Sequence, residues 1–168
     1  MIKYHPGFFG VFVALTLILS YVETLIPIPL MIPGAKLGLA NLAIILMLYL
    51  RGPKEALVLS AVRVVLVGFL FGNMAAIMYS LGGTFLSLGG MWLLKRTNKF
   101  SMISISAVGG VLHNIGQFII AMLVLQSKGL YFYLPFLIII GCLTGVIIGI
   151  VALKIWTSIE KLLKNQKG

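Results

Sequence analysis

Residues Tyr131 to Leu153 read YFYLPFLIIIGCLTGVIIGIVAL, an apolar run without a single charged side chain. About 20 such residues span the hydrocarbon core of a bilayer as an α-helix. The solvent for this stretch is therefore lipid, and the rest of the chain follows the same pattern. Of the 168 residues 61% are hydrophobic and 10% charged, whereas a soluble domain is about 25% charged. Breakers and charges divide the chain into apolar runs at residues 8–26, 36–51, 53–72, 74–94, 102–126 and 131–156, with a polar tail at 157–168. The expected fold is all-α: one domain over residues 1–168, an integral membrane bundle of six transmembrane helices. The first run is too long for the apolar core of a signal peptide and lacks a small-x-small cleavage site after it, so it reads as an uncleaved span.

The net charge of +10 would suggest nucleic acid in a soluble protein. Here the basic residues sit at the ends of apolar runs, without the stripe of cations and stacking aromatics that nucleic acid requires. With a cytoplasmic N-terminus, Lys3, Arg51, Lys54, Lys95, Arg96, Lys99, Lys154, Lys161, Lys164 and Lys167 fall inside, and Lys36 and Lys128 outside. That asymmetry follows the positive-inside rule. It places both termini in the cytoplasm, favours an even number of spans, and makes this a multi-pass protein of the cell membrane. Cys142 is the only cysteine, which excludes an intrachain disulfide.

Glycines indicate that the helices pack on one another. Gly141, Gly145 and Gly149 recur every fourth residue along the last span, a ridge that lets backbones approach closely. Gly82-Gly83 and Gly89-Gly90 lie seven apart, nearly two turns, which predicts one shared face. Gly10 and Ala14 repeat the spacing in the first span. Trp92, Trp156, Tyr131 and Tyr133 read as interfacial anchors.

The informative residues are those that lipid should exclude. A charge near mid-membrane costs about 2.5–3.5 kcal/mol on insertion scales, and Arg63 stands halfway along the third span. Glu23 lies in the outer third of the first. Asn41 belongs to the second, Asn73 to the outer end of the third, and His113, Asn114 and Gln117 to the middle of the fifth. His113 and Gln117 are four apart and Asn114 and Gln117 three, so the trio shares a helix face. In the proposed topology these residues and Lys36 all fall between mid-membrane and the outer surface, while the cytoplasmic halves of the spans are apolar. A polar chamber open to one side is the layout of a solute pocket. The alternative is structural: Glu23 and Arg63 neutralise each other and the amides tie helices together.

Several signatures are missing. The chain has no aspartate, so it offers no aspartate-rich cluster to hold magnesium against a diphosphate. It has no P-loop, no Ser-His-Asp set and no paired carboxylates. No second ligand stands at metal spacing from His113. The sequence therefore reads as a non-enzyme that needs no cofactor or metal in this chain.

The blocks Val22-Glu23-Thr24-Leu25-Ile26-Pro27, Pro33-Gly34-Ala35-Lys36-Leu37-Gly38-Leu39-Ala40-Asn41, Arg63-Val64-Val65-Leu66 with Phe71-Gly72-Asn73, and His113-Asn114-Ile115-Gly116-Gln117 resemble the Gx transporter family, also labelled heptaprenyl diphosphate synthase component I. That family is similar to the substrate-binding S components of energy-coupling-factor (ECF) transporters. The resemblance implies a six-helix subunit with both termini cytoplasmic, binding a vitamin-like solute near the outer face beneath the loop between spans one and two. It also implies a membrane coupling subunit, docked through small residues of span one, and partner ATPases that supply ATP hydrolysis. Gly10-x-x-x-Ala14 stands where an Ala-x-x-x-Ala-like docking motif is expected.

Residues and resemblance together predict a pocket formed by Glu23, Lys36, Asn41, Arg63, Asn73, His113, Asn114 and Gln117. Residues 27–34 would act as its lid, and the excess positive charge of Lys36 and Arg63 over Glu23 favours an anion. Flavin-like and prenyl-phosphate solutes both fit. Two rival readings stand beside it: a non-catalytic membrane subunit of heptaprenyl diphosphate synthesis, and a structural membrane protein whose polar cluster only locks helices.

Overall fold

The structure is a computed structural model that describes residues 6–25, 38–126 and 128–165. Its elements are α1 (Pro6–Leu25), α2 (Leu39–Leu50), α3 (Pro53–Phe71), α4 (Met74–Thr97), α5 (Met102–Leu125), a short 3-10 turn (Lys128–Tyr133) and α6 (Leu134–Asn165), with no strand among the described residues. Local chemistry sets the boundaries. Pro53 occupies the first turn of α3, where its missing N–H is no loss. Asn73 and Ser101 cap α4 and α5 by accepting from Ala76 N at 2.8 Å and Ser104 N at 3.2 Å.

Four segments are long and apolar enough to cross a membrane: Gly7–Leu25, Met74–Thr97, Met102–Leu125 and Gly129–Lys161. The expected six spans correspond to six helices, but two are of a different kind. Described α2 has 12 residues, about 18 Å of helix, and the expected start of span two at Lys36 lies outside the described residues. Helix α3 carries Lys54, Glu55 and Arg63, which dilute its apolar character.

Two expected ends shift. Helix α4 runs past residue 94 through Lys95 and Arg96, because Lys95 Nζ reaches back to Leu48 O at 2.6 Å and lies 4.6 Å from the Tyr49 ring. Basic side chains also suit the negative end of a helix. The last span starts as a 3-10 turn holding Tyr131 and Tyr133, and α6 continues to Asn165, into the expected tail. No glycine or proline interrupts residues 150–165, and Thr157 and Ser158 return their hydroxyls to Lys154 O.

One end of the bundle is an apolar plug. Phe12 of α1, Ile45, Met47 and Leu48 of α2, Leu59 of α3, Met91 of α4, Ile105 of α5 and Ala152 of α6 are buried in a single cluster. The start of α1 and the later part of α6 therefore lie at the same end. Arg51 over Phe8, Arg96 over Trp92, and Tyr49 against Trp156 rim that end. Phe69, Leu123, Phe132, Leu143 and Ile147 are exposed on the outside, as lipid-facing side chains are.

Helix α5 forms the spine of the other contacts. A Cβ on Gly116 would lie 2.6 Å from Gly82 O, and one on Gly145 would lie 2.6 Å from Ser106 O. At both positions backbone meets backbone, and only glycine fits. The Gly141-Gly145-Gly149 ridge packs within the chain, against α5. Of the two glycine pairs in α4, Gly82, Gly83 and Gly90 face α5, whereas Gly89 meets nothing within 4 Å. Seven residues turn through slightly less than two full turns, so only one member of the second pair stays in register. Gly10 also meets nothing within 4 Å.

Candidate functional site

The polar residues of the opposite half converge. A cleft of about 420 Å³ of non-atom space is lined by Glu23 of α1, Gly38 and Asn41 at the start of α2, Arg63 of α3, Ser80 of α4, Gly110, His113, Asn114 and Gln117 of α5, and Thr144 of α6. It is narrow, with free room on the scale of a water molecule. Helices α3 and α5 both start at the plugged end. Arg63 is about 15 Å along α3 and His113 about 16 Å along α5, so the two reach the cleft at similar depth.

Each wall has a local cause. Gly38 adopts φ 73, a left-handed conformation that suits glycine. From there its N–H donates to Glu23 Oε1, joining the end of α1 to the start of α2. Gly83 makes room for His113 and Gln117 on α5: its absent side chain would meet His113 Cε1 at 3.0 Å and Gln117 Cγ at 2.9 Å. Asn114 is buried, and its Nδ2 donates to Leu137 O of α6 at 2.7 Å. Gly141 allows this, since a Cβ there would lie 2.8 Å from Asn114 Nδ2. Part of the Asn114 amide thus ties helices together, as the structural alternative expects.

Arg63 is the exceptional group. Its Nε is buried and has no hydrogen-bond partner among the described residues. The Glu23 carboxylate is near enough to act on it electrostatically. A buried donor left unsatisfied costs about 1–3 kcal/mol, more when charged, so the arrangement favours an incoming oxygen acceptor.

Six of the eight residues singled out by sequence line this cleft: Glu23, Asn41, Arg63, His113, Asn114 and Gln117. Asn73 does not line it. It is exposed at the start of α4, and its side-chain oxygen caps that helix. Lys36 and the expected lid at 27–34 lie outside the described residues. Sequence reasoning missed Ser80 and Thr144. Thr144 had a signal, as a hydroxyl inside the purest apolar run, although it also bonds to Ile140 O at 2.9 Å on its own helix. Ser80 had only its position one turn before Gly83.

A helical membrane protein with a polar cleft at one end and an apolar plug at the other is the class that fold and site define. Within that class the chain belongs to the family described as heptaprenyl diphosphate synthase component I, whose model matches residues 12–155. No curated protein and no solved structure matches the chain. The family match takes in every cleft-lining residue.

Proposed function

We propose that this chain is the solute-binding membrane subunit of an ECF-type transporter, with both termini cytoplasmic and the cleft facing outward. The solute is a small anion or an anionic vitamin-like molecule. Arg63 anchors its acidic group, assisted by Lys36. Glu23 balances charge and is held in place by Gly38. Asn41, His113 and Gln117 supply directional hydrogen bonds, and Asn114 holds α5 to α6 behind them. Partner subunits would hydrolyse ATP, since this chain has no P-loop. The observation that carries the reading is the buried, unpartnered Nε of Arg63 inside a cleft lined by three further hydrogen-bonding side chains of α5. A guanidinium offers a planar fork of donors matched to carboxylate and phosphate.

Binding measured on the purified chain in nanodiscs tests this, with riboflavin 5′-phosphate and small phosphate esters as probes. Arg63→Gln and His113→Ala should each weaken binding at least tenfold. Unchanged affinity in both variants sinks the assignment.

The family description favours a second reading, a non-catalytic membrane partner of a prenyl diphosphate synthase. It predicts that an aspartate-rich soluble synthase copurifies with the chain and loses activity without it. Copurification with a membrane coupling subunit and ATPases instead decides for transport.

A further inference from the structure

The polar cleft has a more apolar neighbour. A second cleft, as narrow as the first, lies between α1, α3 and α4 and shares Arg63 and Ser80 with it. Beyond those two residues its lining is mostly apolar: Val64, Val67, Gly68 and Phe71 along one side of α3, then Gly72, and Ala76 on α4. Thr24 of α1 is the one further hydroxyl, and it donates to Tyr21 O on its own helix. Exposure rises with distance from Arg63, from 3% at Val64 to 9% at Val67 and 46% at Phe71. The cleft is thus most enclosed at Val64 and Val67, next to the arginine, and open at the end of α3, where Tyr21 packs 5.4 Å from Phe71. From Arg63 to Phe71 is about 12 Å along the helix, roughly two turns.

We propose that the two clefts form one site for a small amphipathic anion, the acidic head at Arg63 and a short apolar tail between α3 and α4. This rests on the solute-binding reading above and narrows its substrate class. Charge complementarity fixes the head: Arg63 is the one cation of the described lining in either cleft, it lines both, and its buried Nε has no hydrogen-bond partner among the described residues. The tail follows from the wall chemistry. Val64, Val67, Gly68 and Ala76 offer a polar chain no hydrogen-bonding side chain, whereas a buried hydrocarbon gains about three- to fourfold in affinity for each methylene removed from water. A wholly polar solute would fill the first cleft and leave the second unused.

The test uses a homologous series of water-soluble esters (ethyl, butyl, hexyl and octyl phosphate) on the full chain in zwitterionic nanodiscs, with riboflavin 5′-phosphate as a reference anion. Affinity should climb with chain length until the second cleft is filled, and Arg63→Gln should weaken every member. Ala76→Leu should flatten the length dependence. Thr24→Leu, which narrows the same cleft from α1, should do likewise and serves if Ala76→Leu does not fold. Arg63-dependent binding that ignores chain length overturns this inference and leaves the proposed function standing. So does a length dependence that survives both blocking variants. Absence of Arg63-dependent binding for every anion, the reference included, overturns both.

Discussion

Helices α4, α5 and α6 meet backbone to backbone, at Gly82 against Gly116, Gly110 against Gly141, and Gly145 against Ser106 and Ala107. Helices α1, α2 and α3 meet through side chains: Phe12 packs with the apolar face of α2 and with Leu59, while Gly7 and Gly10 of α1 touch nothing within 4 Å. The cleft lies where these two kinds of packing join. His113, Asn114 and Gln117 project from the glycine-knit wall, Glu23 and Arg63 from the side-chain-packed one. Backbone contacts have no rotamers to change, whereas side-chain contacts can re-pack at modest cost. A narrow cleft between such walls is expected to widen on the α1–α3 side when a solute enters, with the α5 trio as the fixed template.

The largest effect that tests this difference is Gly145→Val. Its Cβ would lie 2.6 Å from Ser106 O and 2.7 Å from Ala107 Cα, backbone atoms that cannot step aside. Overpacking of this kind costs about 3 kcal/mol or more. The variant should give little monodisperse protein in detergent, while Ala14→Val on the exposed face of α1 should purify normally. Equal thermal stability of the two variants would show the halves to be built alike.

Next comes Arg63→Leu, which separates a binding arginine from a structural one. Glu23 keeps the Gly38 N–H and remains partly exposed, so losing the arginine should shift stability by no more than about 1 kcal/mol. Anion affinity should fall about a hundredfold, roughly 2.7 kcal/mol. A lock made of the Glu23–Arg63 pair behaves differently: removing one partner then costs about 3–5 kcal/mol. Thermal melts of the ligand-free variant therefore tell the two roles apart. Asn114→Ala has a smaller and purely structural expectation. It removes the bond to Leu137 O and should cost about 1 kcal/mol of thermal stability.

What the sequence made legible follows from what lipid forbids. Arg63, His113 and Gln117 stand out because each is expensive in hydrocarbon, and helical spacing places the α5 trio on one face. Six helices and most of their ends were readable because proline, glycine and charge interrupt apolar runs. Asn73 misled for a reason of the same kind. An amide at a span end satisfies a helix N-terminus as readily as it serves a ligand, and only its bond to Ala76 N decides between them. The apolar cleft beside Arg63 was invisible, since Val64, Val67 and Ala76 look like any other membrane-helix residues until two helices are set side by side. The polar stretch after residue 156 was legible as a helical extension because Glu160 and Lys164 stand four apart, and α6 does run on to Asn165.

The smallest predicted effect is the sharpest test of the register of α4. Gly89 and Gly90 are neighbours in sequence with opposite surroundings. A Cβ on Gly89 meets nothing within 4 Å, whereas one on Gly90 would run into the Leu112 side chain of α5. Alanine is the better helix former by about 0.8–1 kcal/mol in water, and part of that preference should survive in a helix facing lipid. Gly89→Ala should therefore raise thermal stability by a few tenths of a kcal/mol, within the range of that propensity. At Gly90 the same gain is opposed by Leu112. Its Cδ atoms are the mobile end of a flexible side chain and can swing away only by giving up contacts with α4, so Gly90→Ala should be neutral to mildly destabilising. If the two substitutions behave alike, the face of α4 that meets α5 is wrongly assigned. With it falls the placement of Gly83 beneath His113 and Gln117, since both glycines belong to that one face.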